Sequence, residues 1–173
     1  PTGATFENYV KLFTERDFLL WMQNSALVAF AVTITGVFFA STAGYGFSRF
    51  RFMGKRFGLL TLLTTQMFPA TMLLLPMYIM LINLGLINTY FGVIIVYSAT
   101  ALPFCIWTMK GYYDTIPISL EEAARIDGCS HFGAFMRVIL PLAAPALVIT
   151  ALFSFMTAWS EYLVASQILQ DTL

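Results

Sequence analysis

The longest uncharged stretches of the chain predict its first elements. From Phe18 through Ser48 there is no Asp, Glu, Lys or Arg. Since a helix needs about 20 residues to cross the hydrocarbon core of a bilayer, this run predicts a membrane helix near 18–48. Trp21 and Tyr45, close to its two ends, suit the aromatic belts at membrane surfaces. Small residues along the run offer surfaces for close helix contact: Gly36, Ala40, Ser41, Ala43, Gly44 and Gly46.

A second uncharged run, from Phe57 through Met109, is too long for a single crossing. A polar interruption at 83–89 divides it, so we predict membrane helices near 58–82 and 90–110. Three prolines within them predict kinks, which membrane helices tolerate where neighbouring groups bind the freed carbonyls: Pro69, Pro76 and Pro103.

The last apolar run, Val138 through Ser160, is followed by Glu161 and predicts a membrane helix near 141–165. Four membrane helices follow from these runs. The expected fold class is therefore an all-α integral membrane protein, a polytopic helical bundle that forms a single transmembrane domain over 1–173. Between the third and fourth helices lies a polar segment, 119–141.

This polar segment has the pattern of two short helices. Ser119 and Glu122 have the spacing of a capping box, which predicts a helix start. Gly128 supplies the left-handed residue that ends a helix, and Ser130 is placed to cap a second one. Pro141 either closes the unit or opens the next helix. Apolar residues recur at helical spacing in the second helix: Phe132, Phe135, Met136 and Ile139.

The composition agrees with a membrane protein and gives no indication of nucleic-acid binding, metal binding or redox chemistry. The 173 residues are 59% hydrophobic and only 10% charged, with a mean hydropathy of +0.79, whereas globular chains carry about 25% charged residues. Nine basic and nine acidic residues balance each other, so no basic surface indicates nucleic-acid binding. Cys105 and Cys129 have neither metal-binding nor redox spacing.

No catalytic constellation is evident in the sequence. The single histidine, His131, adjoins Ser130 but has no third partner to orient it, as nucleophilic catalysis would require. No Gly-x-x-x-x-Gly-Lys phosphate loop occurs either. We therefore expect a chain that is not an enzyme, needs no cofactor or metal, and does not itself bind ATP.

Basic residues predict the orientation in the membrane. Two, Lys11 and Arg16, belong to the polar segment 1–17. Seven lie on the opposite side of the predicted helices: Arg49, Arg51, Lys55, Arg56, Lys110, Arg125 and Arg137. The excess places the 119–141 segment in the cytoplasm, with 1–17, the 83–89 turn and the C-terminal end outside. The basic cluster 49–56 is expected to set this topology and to meet anionic lipid heads.

The polar segment also carries a motif. Glu122-Ala123-Ala124, then three residues, Gly128, then nine residues and Val138-Ile139-Leu140-Pro141 resembles the EAA loop in the membrane subunits of bacterial ABC importers. Val138 stands where that family usually has Ile. The stretches 66–69 and 107–113 are similar to the carbohydrate branch, and most of all to the smaller permease subunit of maltose-type importers.

The resemblance implies a permease of the type I ABC importer kind, which forms half of a translocation path for a sugar or oligosaccharide such as a maltodextrin. It implies a bacterial cytoplasmic (inner) membrane location. The implied partners are membrane lipids, a homologous second permease subunit, a pair of ATPase subunits and an extracytoplasmic solute-binding protein. Such permeases usually have six membrane helices, so the first and the last are expected to be missing here.

By the same resemblance, a loop over 113–140 forms coupling helices that sit in a cleft of the ATPase. Glu122 would offer its carboxylate to a basic residue of the ATPase, and two alanines would let the backbone approach. Asp127 would stabilise the Gly128 turn by bonding to nearby amides. Phe132, Phe135 and Met136 would supply the buried contact with the ATPase or pack beneath the membrane helices. The expected coupling residues are Glu121, Glu122, Ala123, Ala124, Asp127, Gly128, Ser130, Phe132, Phe135, Met136, Leu140 and Pro141.

Three residues are candidates for the translocation path. An ionisable group beside a membrane span usually faces protein or a watery cavity, which favours Glu161, and Tyr162 adds an aromatic face on which a sugar can stack. Glu161 fits equally well as the outer end of a helix in headgroup water. Gln66 is the third candidate, although a hydrogen bond between helices would also explain it.

Other functions stay open on the sequence alone. An ABC permease for another solute, such as an amino acid, polyamine or phosphate, would carry the same loop. A secondary transporter or channel without an ATPase would need acidic or basic groups within the membrane, and the predicted spans contain almost none. A membrane anchor for a multiprotein assembly would move no solute at all.

Overall fold

The computed structural model describes residues 6–14 and 17–169, and every regular element in these two ranges is helical. Arg16 and the ends of the predicted domain, 1–173, lie outside the described residues. The described helices are α1 Glu7–Thr14, α2 Phe18–Arg49, α3 Lys55–Thr65, α4 Ala70–Asn83, α5 Tyr90–Thr115, α6 Ile118–Ile126, α7 His131–Leu142, α8 Ala144–Ser160 and α9 Leu163–Ile168.

Two of these helices, α2 and α5, are each long and apolar enough to cross a membrane alone. Helix α2 coincides with the uncharged run at 18–48, and α5 continues five residues beyond the predicted 90–110. Helices α7 and α8 are long and apolar enough to cross a membrane only when the two are taken together as one bent span. The described residues thus contain two spans, or three if that pair is one span, instead of the four predicted.

Helix α2 packs along both α5 and α8 through small residues spaced by four. A Cβ atom added at Gly36 would lie 2.6 Å from Ser154 Oγ, and one at Gly44 would lie 2.8 Å from Met109 Cβ. Ala40, between the two glycines, is fully buried. The close approach expected from the small residues is therefore present along this face of α2.

Buried side chains form two clusters in the bundle. One contains Val28, Val32, Leu81, Val93, Val96 and Ala158. The other contains Tyr45, Met109, Tyr113, Phe135 and Ile139. Since Phe135 and Ile139 belong to α7, the second cluster joins the polar segment to the ends of α2 and α5.

The helix predicted near 58–82 is interrupted. Helix α3 ends at Thr65 and α4 begins at Ala70, so neither reaches the length of a span. Pro69 explains the break, because the residue before a proline is disfavoured in helical geometry and the proline has no N–H to continue the helix. Pro76 and Pro103, by contrast, lie inside continuous helices.

The helix predicted near 141–165 also differs at both ends. Helices α7 and α8 meet at Ala143 with a bend of 76°. Pro145, in the first turn of α8, lacks the N–H that would continue α7 without a break. Helix α8 ends at Ser160, and residues 161–162 separate it from α9.

Candidate functional site

Helices α6 and α7 form a helix–turn–helix unit, Ile118–Leu142, which we call the α6–α7 unit. Its start differs from the prediction. Pro117 is the N-cap of α6, and no side chain caps this end, so the capping box expected of Ser119 and Glu122 does not form. Pro117 sets the start because its extended backbone, with ψ of 133°, separates the new helix from α5. Ser119 therefore lies inside the first turn.

The turn between the two helices is closed by backbone hydrogen bonds. Gly128 has a φ of +92°, in the left-handed region where glycine alone is unstrained, as the sequence predicted. Gly128 N–H donates to Arg125 O at 3.1 Å, and Cys129 N–H donates to Ala124 O at 3.0 Å. Asp127 contributes its backbone N–H, which donates to Ala123 O.

Ser130 caps α7, as predicted, because its Oγ accepts a hydrogen bond from Gly133 N–H at 3.1 Å. Beyond this cap the apolar stripe does not stay on one face. Phe135 is 5% exposed, whereas Phe132 is 72% exposed and Met136 is exposed as well. Phe135 is buried because it packs against Tyr45, with a ring separation of 4.5 Å. A π-helical turn follows at 135–139, in which Leu140 N–H donates to Phe135 O.

The two adjacent acids of α6 have opposite environments. Glu121 is 9% exposed, and both of its carboxylate oxygens are bonded. Tyr45 Oη donates to Glu121 Oε2 at 2.9 Å, and Arg49 Nε donates to Glu121 Oε1. Arg49 Nη2 also donates to Ile116 O at 2.8 Å. This cluster, Tyr45, Arg49, Ile116 and Glu121, is called the anchor below, because it fixes α6 to the end of α2. Glu122 is exposed.

A second set of polar contacts lies beside the anchor. Ser48 Oγ donates to Asp114 Oδ1 at 2.7 Å, and Lys110 forms an ion pair with the same carboxylate. The Ser48 hydrogen bond connects the last turn of α2 to the last turn of α5, whereas the Lys110–Asp114 ion pair lies within α5. The ends of α2 and α5 beside the α6–α7 unit are therefore joined by a polar contact.

The outward face of the unit combines apolar and charged groups. Ala123 is exposed, whereas Ala124 is buried, so only one of the two alanines can be approached from outside. Leu140 packs against the buried cluster, and Pro141 is exposed in the last turn of α7. Large apolar side chains project outward at Ile118, Leu120, Ile126, Phe132 and Met136. An apolar surface with charged neighbours is typical of a protein-binding site.

A cavity of about 210 Å³ lies between the unit and the end of α2. Its charged lining comes from Arg49, Glu121, Glu122 and Arg125, and His131 adds a polar side chain. Among the described residues no group of three or more His, Cys, Asp or Glu side chains could hold a metal ion. Because arginine and glutamate side chains both line the cavity, it is suited to polar side chains of a partner.

Glu161 and Tyr162 lie between α8 and α9, beside the other buried cluster. Glu161 O accepts a hydrogen bond from Tyr97 Oη at 2.8 Å, and Glu161 Oε1 accepts one from Val164 N–H at 3.2 Å. Glu161 thus holds the start of α9. It also lines a cavity of about 100 Å³ together with Asn24, Tyr97 and Trp159. Tyr162 is 80% exposed and does not line this cavity.

Gln66, in the break between α3 and α4, makes the helix–helix hydrogen bond that the sequence offered as the alternative. Its Nε2 donates to Thr100 O at 3.0 Å. Thr100 lies one turn beyond Tyr97 on α5, so Gln66 and Glu161 both contact the same short length of that helix.

Sequence reasoning missed Tyr45 and Arg49 as parts of the site. The sequence pattern places Tyr45 in an aromatic belt and Arg49 in the basic cluster that is expected to set the topology. The available signal was their spacing of four on one helix, which places both on the same face. No pattern in the sequence indicated that Glu121 would meet that face.

An apolar helical bundle in which α2 and α5 are each long enough to cross a membrane, joined to a helix–turn–helix unit, defines this chain as a multi-helix membrane protein. The chain belongs to the binding-protein-dependent transport system inner membrane component family, whose profile matches residues 19–173. The resemblance inferred from the motif and the all-α membrane fold are thereby confirmed.

Individual relatives cover nearly the whole chain. The maltodextrin transport system permease protein of Bacillus subtilis is 35% identical over 167 residues, which is 96% of this chain and 60% of the relative. The trehalose transport system permease protein of Mycobacterium tuberculosis is 36% identical over 165 residues, 95% of this chain and 60% of that relative.

A solved structure is also similar. It is the crystal structure of a bacterial ABC transporter involved in the import of the acidic polysaccharide alginate, with a TM-score of 0.84 and 29% identity. The match covers 98% of this chain and 59% of that chain. This chain therefore spans about 60% of the length of these three proteins.

Proposed function

We propose that the chain is part of a membrane-spanning permease subunit of an ATP-driven ABC importer and forms half of the translocation path for a sugar or oligosaccharide. The observation that carries this proposal is the α6–α7 unit, which exposes an apolar and charged face while its base is fixed by the anchor. The names of the relatives, which include maltodextrin and trehalose transport permeases, support a carbohydrate as the solute.

In this proposal the α6–α7 unit docks in a cleft of a separate ATPase subunit, where ATP is hydrolysed. Glu122, exposed beside Arg125, offers its carboxylate to a basic residue of the ATPase. Ala123 presents little bulk, so the backbone of α6 can approach closely. Phe132 and Ile126 supply apolar contact area. Glu121 takes no part in docking, because both of its oxygens are bonded within the anchor.

The partners follow from the same proposal. A homologous second permease subunit supplies the other half of the path, two ATPase subunits lie beneath the pair, and an extracytoplasmic solute-binding protein delivers the solute. The membrane is the bacterial cytoplasmic membrane. The excess of basic residues at the ends that flank 119–141 supports a cytoplasmic position for the α6–α7 unit.

The proposed path passes along α5, which Gln66 and Glu161 contact within about one helical turn. The cavity beside Glu161 measures about 100 Å³, well below the range of about 300–1,000 Å³ for sites that take small molecules. A sugar ring does not fit there. The solute would therefore bind between the two permease subunits, and the cavity would hold water beside the path.

Replacing Phe132 with Ala tests the docking proposal. The side chain is 72% exposed and packs on no buried cluster, so the fold should be unaffected, whereas docking should weaken about fivefold, or about 1 kcal/mol. The measurement is the amount of ATPase that co-purifies with the tagged full-length permease in mild detergent. Phe91, at the start of α5, is 63% exposed, and Phe91→Ala is the matched control. Equal ATPase recovery from both variants would contradict docking through this face.

Substitutions of Glu161 separate a role in the path from a structural one. Glu161→Gln keeps an acceptor for Val164 N–H but removes the charge, and Glu161→Ala removes both. If the carboxylate serves the path, both variants lower the rate of solute uptake at equal amounts of assembled complex. If Glu161 only caps α9, uptake falls in Glu161→Ala by the effect of one hydrogen bond, about 1 kcal/mol, and stays normal in Glu161→Gln.

A further inference from the structure

A groove of about 780 Å³ opens where the connection after α2 meets α3 and α5. Its volume lies within the range of sites that take small molecules, about 300–1,000 Å³. Two basic side chains and five large apolar ones line it, without any acidic side chain. The lining residues are Phe52, Gly54, Lys55, Arg56, Phe57, Leu59, Leu60 and Trp107.

One end of the groove is suited to an anion. Gly54 starts α3 with a φ of +84°, and no side chain caps this helix. The backbone N–H groups of Arg56 and Phe57, in the first turn, therefore have no partner within the helix, and the positive end of the helix dipole adds to the charge of Lys55 and Arg56. The ion pairs formed within the described residues do not involve Arg56.

The rest of the groove is apolar and follows α3 away from its charged end. Phe57 is 76% exposed and Leu60, one turn later, is 51% exposed. Trp107 closes the groove from α5. Its indole N–H is shielded from solvent, so this group is not exposed in the groove.

We propose that this groove binds one anionic phospholipid. The phosphate lies at the start of α3 between Lys55 and Arg56, and an acyl chain follows Phe57 and Leu60 along the helix. A small soluble anion would use only the charged end of the groove and leave its five apolar side chains uncovered. The proposal depends on the membrane location of the family and is independent of the solute that the permease carries.

The test uses the complete transporter with the full-length chain, reconstituted with phosphatidylglycerol that carries a photoreactive group in its acyl chain. Peptide mass spectrometry then locates the adducts. Adducts are expected on Phe57 or Leu60. Arg56→Gln should reduce them about fivefold, the equilibrium equivalent of about 1 kcal/mol for a basic side chain at an anionic lipid surface. Arg51→Gln removes the same charge from a neighbouring residue outside the groove and should leave the labelling unchanged.

Three outcomes would overturn the proposal. Equal labelling by photoreactive phosphatidylcholine would show that the negative headgroup is not recognised. An equal loss of adducts in Arg51→Gln would show that the whole basic surface attracts lipid and that the groove does not. Cross-linking of a photoreactive residue at position 57 to a permease or ATPase polypeptide, without lipid adducts, would show that protein covers the groove. None of these readouts depends on solute uptake, so the proposed function is tested separately.

Discussion

Replacing Glu121 with Ala is expected to destabilise the folded permease by about 3 to 5 kcal/mol, the range for removing one partner of a buried ion pair. Arg49, whose side chain is 8% exposed, would stay buried without its carboxylate. Tyr45 Oη would lose its acceptor as well. The loss should appear as a lower Tm of the purified full-length protein in a fixed detergent.

The adjacent acid provides the control. Glu122 is exposed, so Glu122→Ala should change the free energy of unfolding by less than about 0.5 kcal/mol, as surface substitutions do. The double variant Glu121→Leu with Arg49→Leu should recover part of the stability, because no unpaired buried charge remains. Equal Tm values for Glu121→Ala and Glu122→Ala would contradict the anchor.

Replacing Gly128 with Val is expected to reduce solute uptake about tenfold relative to ATP hydrolysis, or to prevent assembly with the ATPase. A Cβ atom at this position would meet nothing within 4 Å, so the effect comes from the backbone. A β-branched residue held at a φ of +92° is strained by about 1 to 3 kcal/mol, and the turn between α6 and α7 would relax into another shape. The measurement is uptake and ATPase activity on the same reconstituted preparation.

Gly111, near the end of α5, is the matched control for this substitution. A Cβ atom there also meets nothing within 4 Å, but the backbone is not left-handed. Gly111→Val should therefore leave the ratio of uptake to ATP hydrolysis unchanged. A normal ratio and normal assembly in Gly128→Val would mean that the shape of the turn is irrelevant to coupling.

Much of the fold can be predicted from the sequence where one strong local signal decides the structure. The uncharged run from Phe18 to Ser48 indicates α2, because only a helix satisfies its own backbone hydrogen bonds in lipid. Gly128 and Ser130 mark the turn and the cap of α7, since few residue types suit a left-handed backbone or accept a hydrogen bond from a helix start.

The partners of individual side chains and the effect of each proline on its helix depend on tertiary packing. Glu121 and Glu122 are indistinguishable by type, and only the rotation of α6 relative to α2 decides which one reaches Arg49. Similarly, Pro69 breaks a helix whereas Pro103 lies inside one, because the surroundings of each proline decide whether the freed backbone groups find partners.

The same limit applied to the apolar stripe of α7. Phe132, Phe135 and Met136 recur at ideal α-helical spacing, which predicts one buried face. Phe135 packs against Tyr45 of α2 with a ring separation of 4.5 Å, whereas Phe132 and Met136 are exposed. The position of α7 against α2, which no local sequence pattern specifies, decides which of the three side chains is buried.

The bend of 76° between α7 and α8 has a mechanical consequence. Because the two helices lie nearly at right angles, a displacement of α7 along its own axis would move the adjoining end of α8 sideways, across the axis of α8. The anchor would carry the same displacement to α2 at a second point. If an ATPase docks on the α6–α7 unit as proposed, its movement would displace α2 and α8 together instead of sliding one helix past its neighbours.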